Sequence, residues 1–221
     1  MFSRFSLVIV VGIAAFLRFY DLDRAGLGNL FYAATVRSMT ESVHNFFFVA
    51  YDPFGSFMVD KPPLALWIQA TVAKAIGFGG TAMLFPMAFS GTLAVVLTFF
   101  AARYFLGSRF ALLAALILAI FPESVATSRD STMDSMMMVF LLGSAVAAQI
   151  AVHNKSRMWL ITCALLMGLV FNIKFIEGFV AIPAFVALFI VGWPSLLKSQ
   201  LRTLLLAMAV FLLVSLAWIT S

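Results

Sequence analysis

The sequence predicts an all-α, polytopic membrane protein with about seven transmembrane helices and with interfacial helices in a long first external loop. Hydrophobic residues make up 64% of the 221 positions, and the mean hydropathy is +1.10. Several apolar stretches approach the roughly 20 residues that cross a bilayer as a helix. Charged residues are only 10% of the chain and lie mostly between these stretches. Function is therefore expected in the polar loops.

The apolar runs define the expected order of elements. The first run has no small-residue cleavage pattern before Asp21, so we interpret it as a retained signal-anchor helix rather than a removed signal peptide. We expect one membrane domain over residues 1–221, with an external loop at 20–80 and six further spans over 82–219. The predicted spans lie near residues 5–19, 82–102, 110–122, 135–152, 158–173, 178–194 and 203–219.

The segment 63–78 decides the sidedness of the chain, because it is apolar but short and carries Lys74. If this segment does not cross the membrane, one side of the membrane carries basic loops without any acid, while the other side carries all nine acidic residues. The positive-inside rule then makes the N-terminus cytoplasmic and the polar loops extracytoplasmic. The basic residues of the predicted cytoplasmic side are Arg4, Arg103, Arg109, Lys155, Arg157, Lys198 and Arg202.

The first external loop contains three features that suit a membrane surface. Segment 63–78 is predicted to be an amphipathic helix that starts at Pro62-Pro63, with Trp67 at headgroup depth. Apolar residues at helical spacing predict a second interfacial helix over 30–42. The aromatic run Phe46-Phe47-Phe48 is typical of a membrane anchor.

Asp60-Lys61 is the first candidate functional pair. A lysine binds phosphate as a point charge, and a lipid-linked phosphate would lie at the depth predicted for this pair. The alternative is an ordinary surface ion pair, worth about 0–1 kcal/mol.

Two further polar clusters lie in the short external loops. Ser131 and Thr132 are predicted N-caps of the next helix, and Asp134 would complement its dipole. Capping does not explain why Arg129 and Asp130 lie there as well. In the third loop, Lys174 and Glu177 are three residues apart and can pair on one helical turn.

The predicted topology brings these clusters to one membrane face as a mixed acid–base pocket. Polar residues at membrane depth are costly, which favours a functional interpretation. The basic residues are scattered between apolar runs, so the net charge of +5 does not indicate nucleic acid. Cys163 lies in an apolar run and is interpreted as packing. No His/Cys metal spacing, phosphate-binding Gly-rich loop or nucleophile elbow is present.

The order of these features resembles the C-type glycosyltransferases, and more narrowly the protein O-mannosyltransferase and lipid A aminoarabinose transferase group (glycosyltransferase family 39-like). The motifs are Gly28-Asn29 followed by Tyr32-Ala-Ala, then Phe46-Phe47-Phe48, then Asp60-Lys61-Pro62-Pro63. The resemblance covers the N-terminal half of such enzymes. It implies transfer of a sugar from a polyprenyl-phosphate donor to a lipid, glycan or protein acceptor on the extracytoplasmic face, among membrane lipids.

The resemblance also implies roles for individual residues. Lysines such as Lys61 and Lys174 bind the donor phosphate, an acid of the second loop assists, and a first-loop acid acts at the acceptor or at a divalent cation. The expected catalytic residues are Asp134, Asp60 and Asp130; the expected phosphate ligands are Lys61, Lys174 and Arg129; and the residues expected to position the acceptor or the loop are Asn29, Tyr32 and Asp52.

One departure leaves the first-loop acid open. The common family pattern has Asp-Glu where Gly28-Asn29 stands here, so Asp60, Asp52 or Asp130 would have to replace it. The chain is also shorter than family members, and a truncated, non-catalytic fragment or scaffold is the main alternative. A transporter subunit is the third hypothesis, although transporters tend to place charges at mid-membrane and to contain inverted repeats.

Overall fold

The computed structural model describes residues 2–196 and 200–219, with side chains from residue 6 onward. Arg4 and Lys198, which entered the sidedness argument, therefore have no described side chains. The described residues divide into two compact units, Met1–Val139 and Phe140–Ser221. In chain order the helices are α1 (Phe2–Phe19), α2 (Leu30–Met39), α3 (Val43–Phe48), α4 (Leu64–Ile76), α5 (Gly80–Ile120), α6 (Pro122–Ser128), α7 (Asp134–Asn154), α8 (Arg157–Lys174), α9 (Ile182–Gly192) and α10 (Leu201–Leu216).

The long α5 is folded back on itself at Gly107, whose φ of 73° and ψ of 171° are not helical. A straight helix would separate Gly91 from Ala119 by about 42 Å at 1.5 Å per residue, yet Arg18 lies against both. The break confirms that the predicted spans 82–102 and 110–122 are separate segments. Their shared core with α1 consists of Val10, Ala14, Val95, Phe99, Ala111, Ala115 and Ala119.

The loop helices of the first unit follow their predicted positions and pack against the protein. The helix predicted at 63–78 is α4, and it buries one face that includes Leu66 and Gln69. The Gln69 Nε2 donates to the carbonyl of Met83 at 3.0 Å, which ties α4 to the start of α5. The helix predicted over 30–42 ends at Met39.

The aromatic run has intramolecular partners. The Phe46 ring stacks on Trp67, and the Trp67 Nε1 donates to the Phe46 carbonyl at 2.8 Å. The Phe47 ring also packs against Trp67, and the Lys74 ammonium lies 5.1 Å from the centre of the Phe46 ring. These contacts join α3 to α4, and membrane anchoring by the run stays a prediction.

The second unit contains the C-terminal helices α8, α9 and α10. The Asn172 Nδ2 donates to the Val214 carbonyl at 2.6 Å, and Gly168 lets α10 approach, since a Cβ there would lie 2.8 Å from the Cβ of Val214. The predicted loop 174–177 is a 3₁₀ segment, Phe175–Ala181, so the next helix starts at Ile182 rather than at 178.

Three helical stretches are long and apolar enough to cross a membrane: Gly80–Ile120, Asp134–Asn154 and Arg157–Gly192. Shorter apolar helices cover Ser6–Phe19, Leu64–Ile76 and Leu201–Leu216. The protein is therefore a helical, multi-pass membrane protein.

Candidate functional site

The first polar loop (residues 20–80) and the second polar loop (residues 123–134) meet at Gly28 and Asn29. Gly28 has a φ of 68°, and a Cβ there would lie 2.5 Å from the backbone nitrogen of Ser131 and 2.6 Å from Oδ1 of Asp130. The Asn29 N–H donates to the Ser131 Oγ at 2.7 Å. This contact requires glycine at position 28 and places the Asp130 carboxylate against the backbone of Gly28.

The same contact explains why the predicted N-caps of α7 are wrong. Ser131 has its hydroxyl between the backbone N–H and C=O of Asn29, and the buried Thr132 hydroxyl has no hydrogen-bond partner among the described residues. The Asn29 side chain instead caps α2 by accepting from the Phe31 N–H at 2.9 Å. Asp134 stands in the first turn of α7, as predicted, where a negative charge complements the helix dipole.

Asp134 lines a cleft of about 400 Å³ in the first unit. Glu123 supplies a second carboxylate, and the Ser124, Thr127 and Ser135 side chains supply hydroxyls. The apolar part of the lining consists of Gly91, Ala94, Leu118, Phe121 and Met138. A cleft lined by carboxylates, hydroxyls and apolar side chains suits a small polar ligand that also presents apolar surface.

Behind this cleft lies Arg18, which the sequence did not single out. Its side chain is fully buried. Nη1 donates to the Ala119 carbonyl at 2.9 Å and Nη2 to the Ser124 Oγ at 2.8 Å, while Nε donates to the Ser128 Oγ at 3.2 Å. The signal in the sequence was a lone arginine at the end of an apolar run, which is also typical of an interface residue.

Arg129 donates hydrogen bonds to backbone carbonyls at the C-terminal end of α1. Its Nη1 donates to the carbonyls of Arg18 and Tyr20 at 3.2 and 2.7 Å, and its Nη2 donates to that of Asp21 at 3.4 Å. Carbonyls at a helix C-terminus have no partner within the helix and carry partial negative charge. Arg129 therefore holds the end of α1 against the second polar loop.

Asp60 and Lys61 form a loose pair, with Nζ and Oδ2 3.5 Å apart. The Asp60 side chain is 64% exposed, whereas that of Lys61 is 25% exposed. Such a pair contributes about 0–1 kcal/mol, so another anion can compete for the ammonium at little cost.

Asp52 organises a tight turn. Its Oδ2 accepts from the N–H groups of Ser56 and Phe57 at 2.8 Å each, and its Oδ1 accepts from that of Phe54 at 3.0 Å. Desolvation would raise the pKa of Asp52, but these hydrogen bonds together lower it below its ordinary value of 3.8. Tyr32 lies on α2, with its ring edge-on to that of Phe31.

Lys174 lies in the second unit, at the end of α8. Its ammonium pairs with the Glu177 carboxylate at 3.0 Å, as the spacing predicted. Its predicted convergence with Lys61 and Arg129 stays a prediction. Among the side chains that the structure describes, no three His, Cys, Asp or Glu residues group as metal ligands.

The helical fold and its polar loops define a C-type membrane glycosyltransferase fold. The chain superposes on ArnT from Cupriavidus metallidurans bound to undecaprenyl phosphate with a TM-score of 0.71 at 20% identity, and on the same protein in the apo state with a TM-score of 0.72 at 22% identity. These matches cover 96% of this chain and 40% and 41% of the respective ArnT chains.

The family follows from the sequence comparison. The family described as dolichyl-phosphate-mannose-protein mannosyltransferase matches residues 60–218, and the chain belongs to it. Two Bacillus subtilis (strain 168) relatives, "Putative mannosyltransferase YycA" and "Putative mannosyltransferase YkcB", are 36% and 30% identical over 96% of this chain. The chain spans 31% and 30% of their respective lengths.

Proposed function

We propose that the chain is part of a membrane glycosyltransferase that moves a sugar from a polyprenyl-phosphate donor to an acceptor hydroxyl on the extracytoplasmic face. The observation that carries the proposal is the cleft at Asp134, which is lined by carboxylates, hydroxyls and apolar side chains. Its volume of about 400 Å³ is adequate for a sugar ring. Family membership supports sugar transfer, and the ArnT complex with undecaprenyl phosphate supports the donor class.

In the proposed reaction the acceptor oxygen bonds to the anomeric carbon while the bond from that carbon to the phosphate oxygen breaks. The phosphate leaves with the electron pair, and a nearby cation stabilises its growing negative charge. Lys61 suits this role because its pairing with Asp60 is loose. Lys174 is the second proposed phosphate ligand.

The acceptor hydroxyl must lose its proton during the transfer. We assign this proton to Asp134, because it lies on the cleft and a carboxylate can act as a general base. We propose that Asp130 of the second loop replaces the missing first-loop acid, since its carboxylate lies against Gly28 of the first loop. The Asp52 carboxylate is held in its turn by three backbone N–H groups, and Asp60 remains the alternative to Asp130. The carbonyl contacts of Arg129 favour a structural role over phosphate binding.

The test is to measure transfer from polyprenyl-phosphate sugars in membranes of cells that express the protein from its own gene. We expect Lys61→Ala and Asp134→Asn each to lower transfer by about 100-fold or more at unchanged protein level, because each removes a charge acting in the transition state. Asp130→Asn removes the charge but keeps a side-chain oxygen that can accept the hydrogen bond from the Ser131 N–H. A similar loss of transfer in this variant would indicate that Asp130 replaces the missing first-loop acid.

Two matched variants control for nonspecific effects of removing a charge. Lys74→Ala removes a lysine that lies over the Phe46 ring, and Asp21→Asn removes a carboxylate that pairs with the exposed Arg24. Both are expected to retain transfer. Near-normal transfer by Lys61→Ala or Asp134→Asn would refute the proposed role of that residue.

A further inference from the structure

Arg18 is a buried cation, and its hydrogen-bond acceptors within the described part of the chain are all neutral. They are the carbonyls of Ala14, Leu118 and Ala119 and the hydroxyls of Ser124 and Ser128. The carbonyls of Leu118 and Ala119 belong to α5, so these contacts join α1 to α5. The two hydroxyls belong to α6 and connect Arg18 to a third helix. A buried guanidinium needs acceptors for its N–H groups, and α6 therefore supplies part of what keeps Arg18 in place.

The hydroxyl contacts have a defined direction. Ser128 donates its one hydroxyl proton to the Ser124 carbonyl, 2.6 Å away, because a carbonyl oxygen can only accept. The Ser128 oxygen then accepts from the Arg18 Nε at 3.2 Å and from the Ser135 hydroxyl at 2.9 Å. Arg18, Ser128 and Ser135 therefore form a connected chain in which the Ser135 hydroxyl is the donor at the far end.

This chain ends at the first turn of α7. Ser135 follows Asp134 directly, and both residues line the cleft. Ser124, which accepts from the Arg18 Nη2, lines it as well. Gly91 lets Arg18 and Ser128 lie directly against α5, since a Cβ there would overlap the Ser128 Oγ and lie 2.7 Å from the Arg18 Nε.

We infer that Arg18 is a positioning residue for the proposed sugar transfer: acting through Ser128 and Ser135, it holds the first turn of α7 so that the Asp134 carboxylate keeps its place on the cleft. The inference rests on the proposed function, because it takes Asp134 as the group that accepts the proton. Arg18 itself is fully buried and is not one of the residues that line the cleft.

The decisive variant is Ser128→Ala, which removes the middle of the chain with little change in volume. We expect kcat to fall by about 10-fold, because small displacements of a catalytic group are costly, while KM for the lipid donor stays within about 2-fold. The matched control is Ser144→Ala, which removes another buried serine of α7, one whose hydroxyl donates to the Leu141 carbonyl of the same helix. Its kcat is expected to equal that of the wild type.

A double-mutant cycle with Arg18→Lys tests whether Arg18 acts through Ser128. Lysine keeps the charge but cannot reproduce the forked contacts of arginine, so the double variant is expected to have the same kcat as the worse single variant. All rates are normalised to folded protein, measured by size-exclusion chromatography in detergent, because a merely structural role would lower the amount of folded protein and leave kcat unchanged.

The outcomes separate the inference from the proposed function. Wild-type kcat in Ser128→Ala, together with loss of transfer in Asp134→Asn, would overturn the role of Arg18 and leave the proposed function intact. Normal transfer in Asp134→Asn would overturn both. If Arg18→Lys does not fold, wild-type kcat in Ser128→Ala still overturns the inference, because the chain from Arg18 to Ser135 passes through Ser128.

Discussion

At the scale of single residues, the polar end of the first unit is shaped by small side chains. Gly28 lets the first loop touch Asp130 and Ser131, and Gly91 lets Arg18 and Ser128 pack against α5. At both positions a Cβ would collide with backbone or with a buried polar group. These glycines let one charged side chain, Asp130 or Arg18, approach backbone from a distant part of the chain, so their effect is on geometry rather than chemistry.

Charge placement and the local pairs of Lys61 and Lys174 could be predicted from the sequence, but partners distant along the chain could not. Asp130 and Asp134 stood out because acids are rare in such an apolar chain, and both lie at the polar loops. The burial of Arg18 depends on Ser124 and Ser128, more than 100 positions away, and no local pattern reports this. Ser131 was misassigned because the backbone of Asn29 competes successfully for its hydroxyl.

The turn that Asp52 organises should lose stability in acid. Its folded-state pKa is below the ordinary value of 3.8, so folding stabilises the ionised form. The stabilisation is fully present above the ordinary value and is lost as the pH falls through the folded-state pKa. We expect hydrogen exchange of the Phe54, Ser56 and Phe57 amides, corrected for intrinsic rates, to accelerate as the pH is lowered through this range.

The variant Asp52→Asn provides the comparison. It should exchange faster than the wild type at neutral pH, because a neutral amide oxygen is a weaker acceptor than a carboxylate. It should also lose the acid-dependent change. Equal protection of the three amides in both proteins at every pH would contradict the assigned role.

At the scale of elements, hydropathy located the helices but not their ends. The break between the predicted spans 82–102 and 110–122 is a single turn at Gly107. In the second unit, the predicted span at 178 starts later because Phe175 has a φ of 32° and the chain continues as a 3₁₀ segment. Gly178 packs so closely on Val170 that a Cβ would overlap it. Such close packing is tertiary and leaves no trace in an apolar run.

Gly107 allows a test of the helical hairpin. Its backbone conformation is one that essentially only glycine adopts, and a Cβ there would meet no atom within 4 Å. Gly107→Ala should therefore lower the free energy of unfolding by about 1–3 kcal/mol through backbone strain alone. The measurement is chemical unfolding in detergent, followed by circular dichroism.

Gly12→Ala is the matched control, because a Cβ at Gly12 also meets no atom within 4 Å but the backbone there is helical. This substitution should leave stability unchanged or raise it by about 1 kcal/mol, since alanine favours helix. Equal stabilities of the Gly107→Ala variant and the wild type would show that the turn tolerates a side chain.

At the scale of the whole molecule, the helical membrane class and the family could be predicted because composition and motif order carry them. The site as a single pocket could not be derived in the same way. Its predicted residues fall in two compact units, with Asp134 in the first and Lys174 in the second. Their convergence stays a prediction, because packing between helices is not encoded in hydropathy or loop charge.

Sidedness is the last prediction, and it decides whether the polar clusters can share one aqueous face. Basic loops resist translocation, so we expect the first and second polar loops outside and the turn after α7 inside. Single cysteines at Phe54, Glu123 and Asn154, all exposed, can be labelled with an impermeant thiol reagent in a Cys163→Ala background. In intact cells the reagent should label positions 54 and 123, whereas position 154 should react only after the cells are permeabilised. Labelling of positions 54 and 123 from opposite sides would contradict the joined loops at Gly28 and Asp130 and, with them, the proposed site.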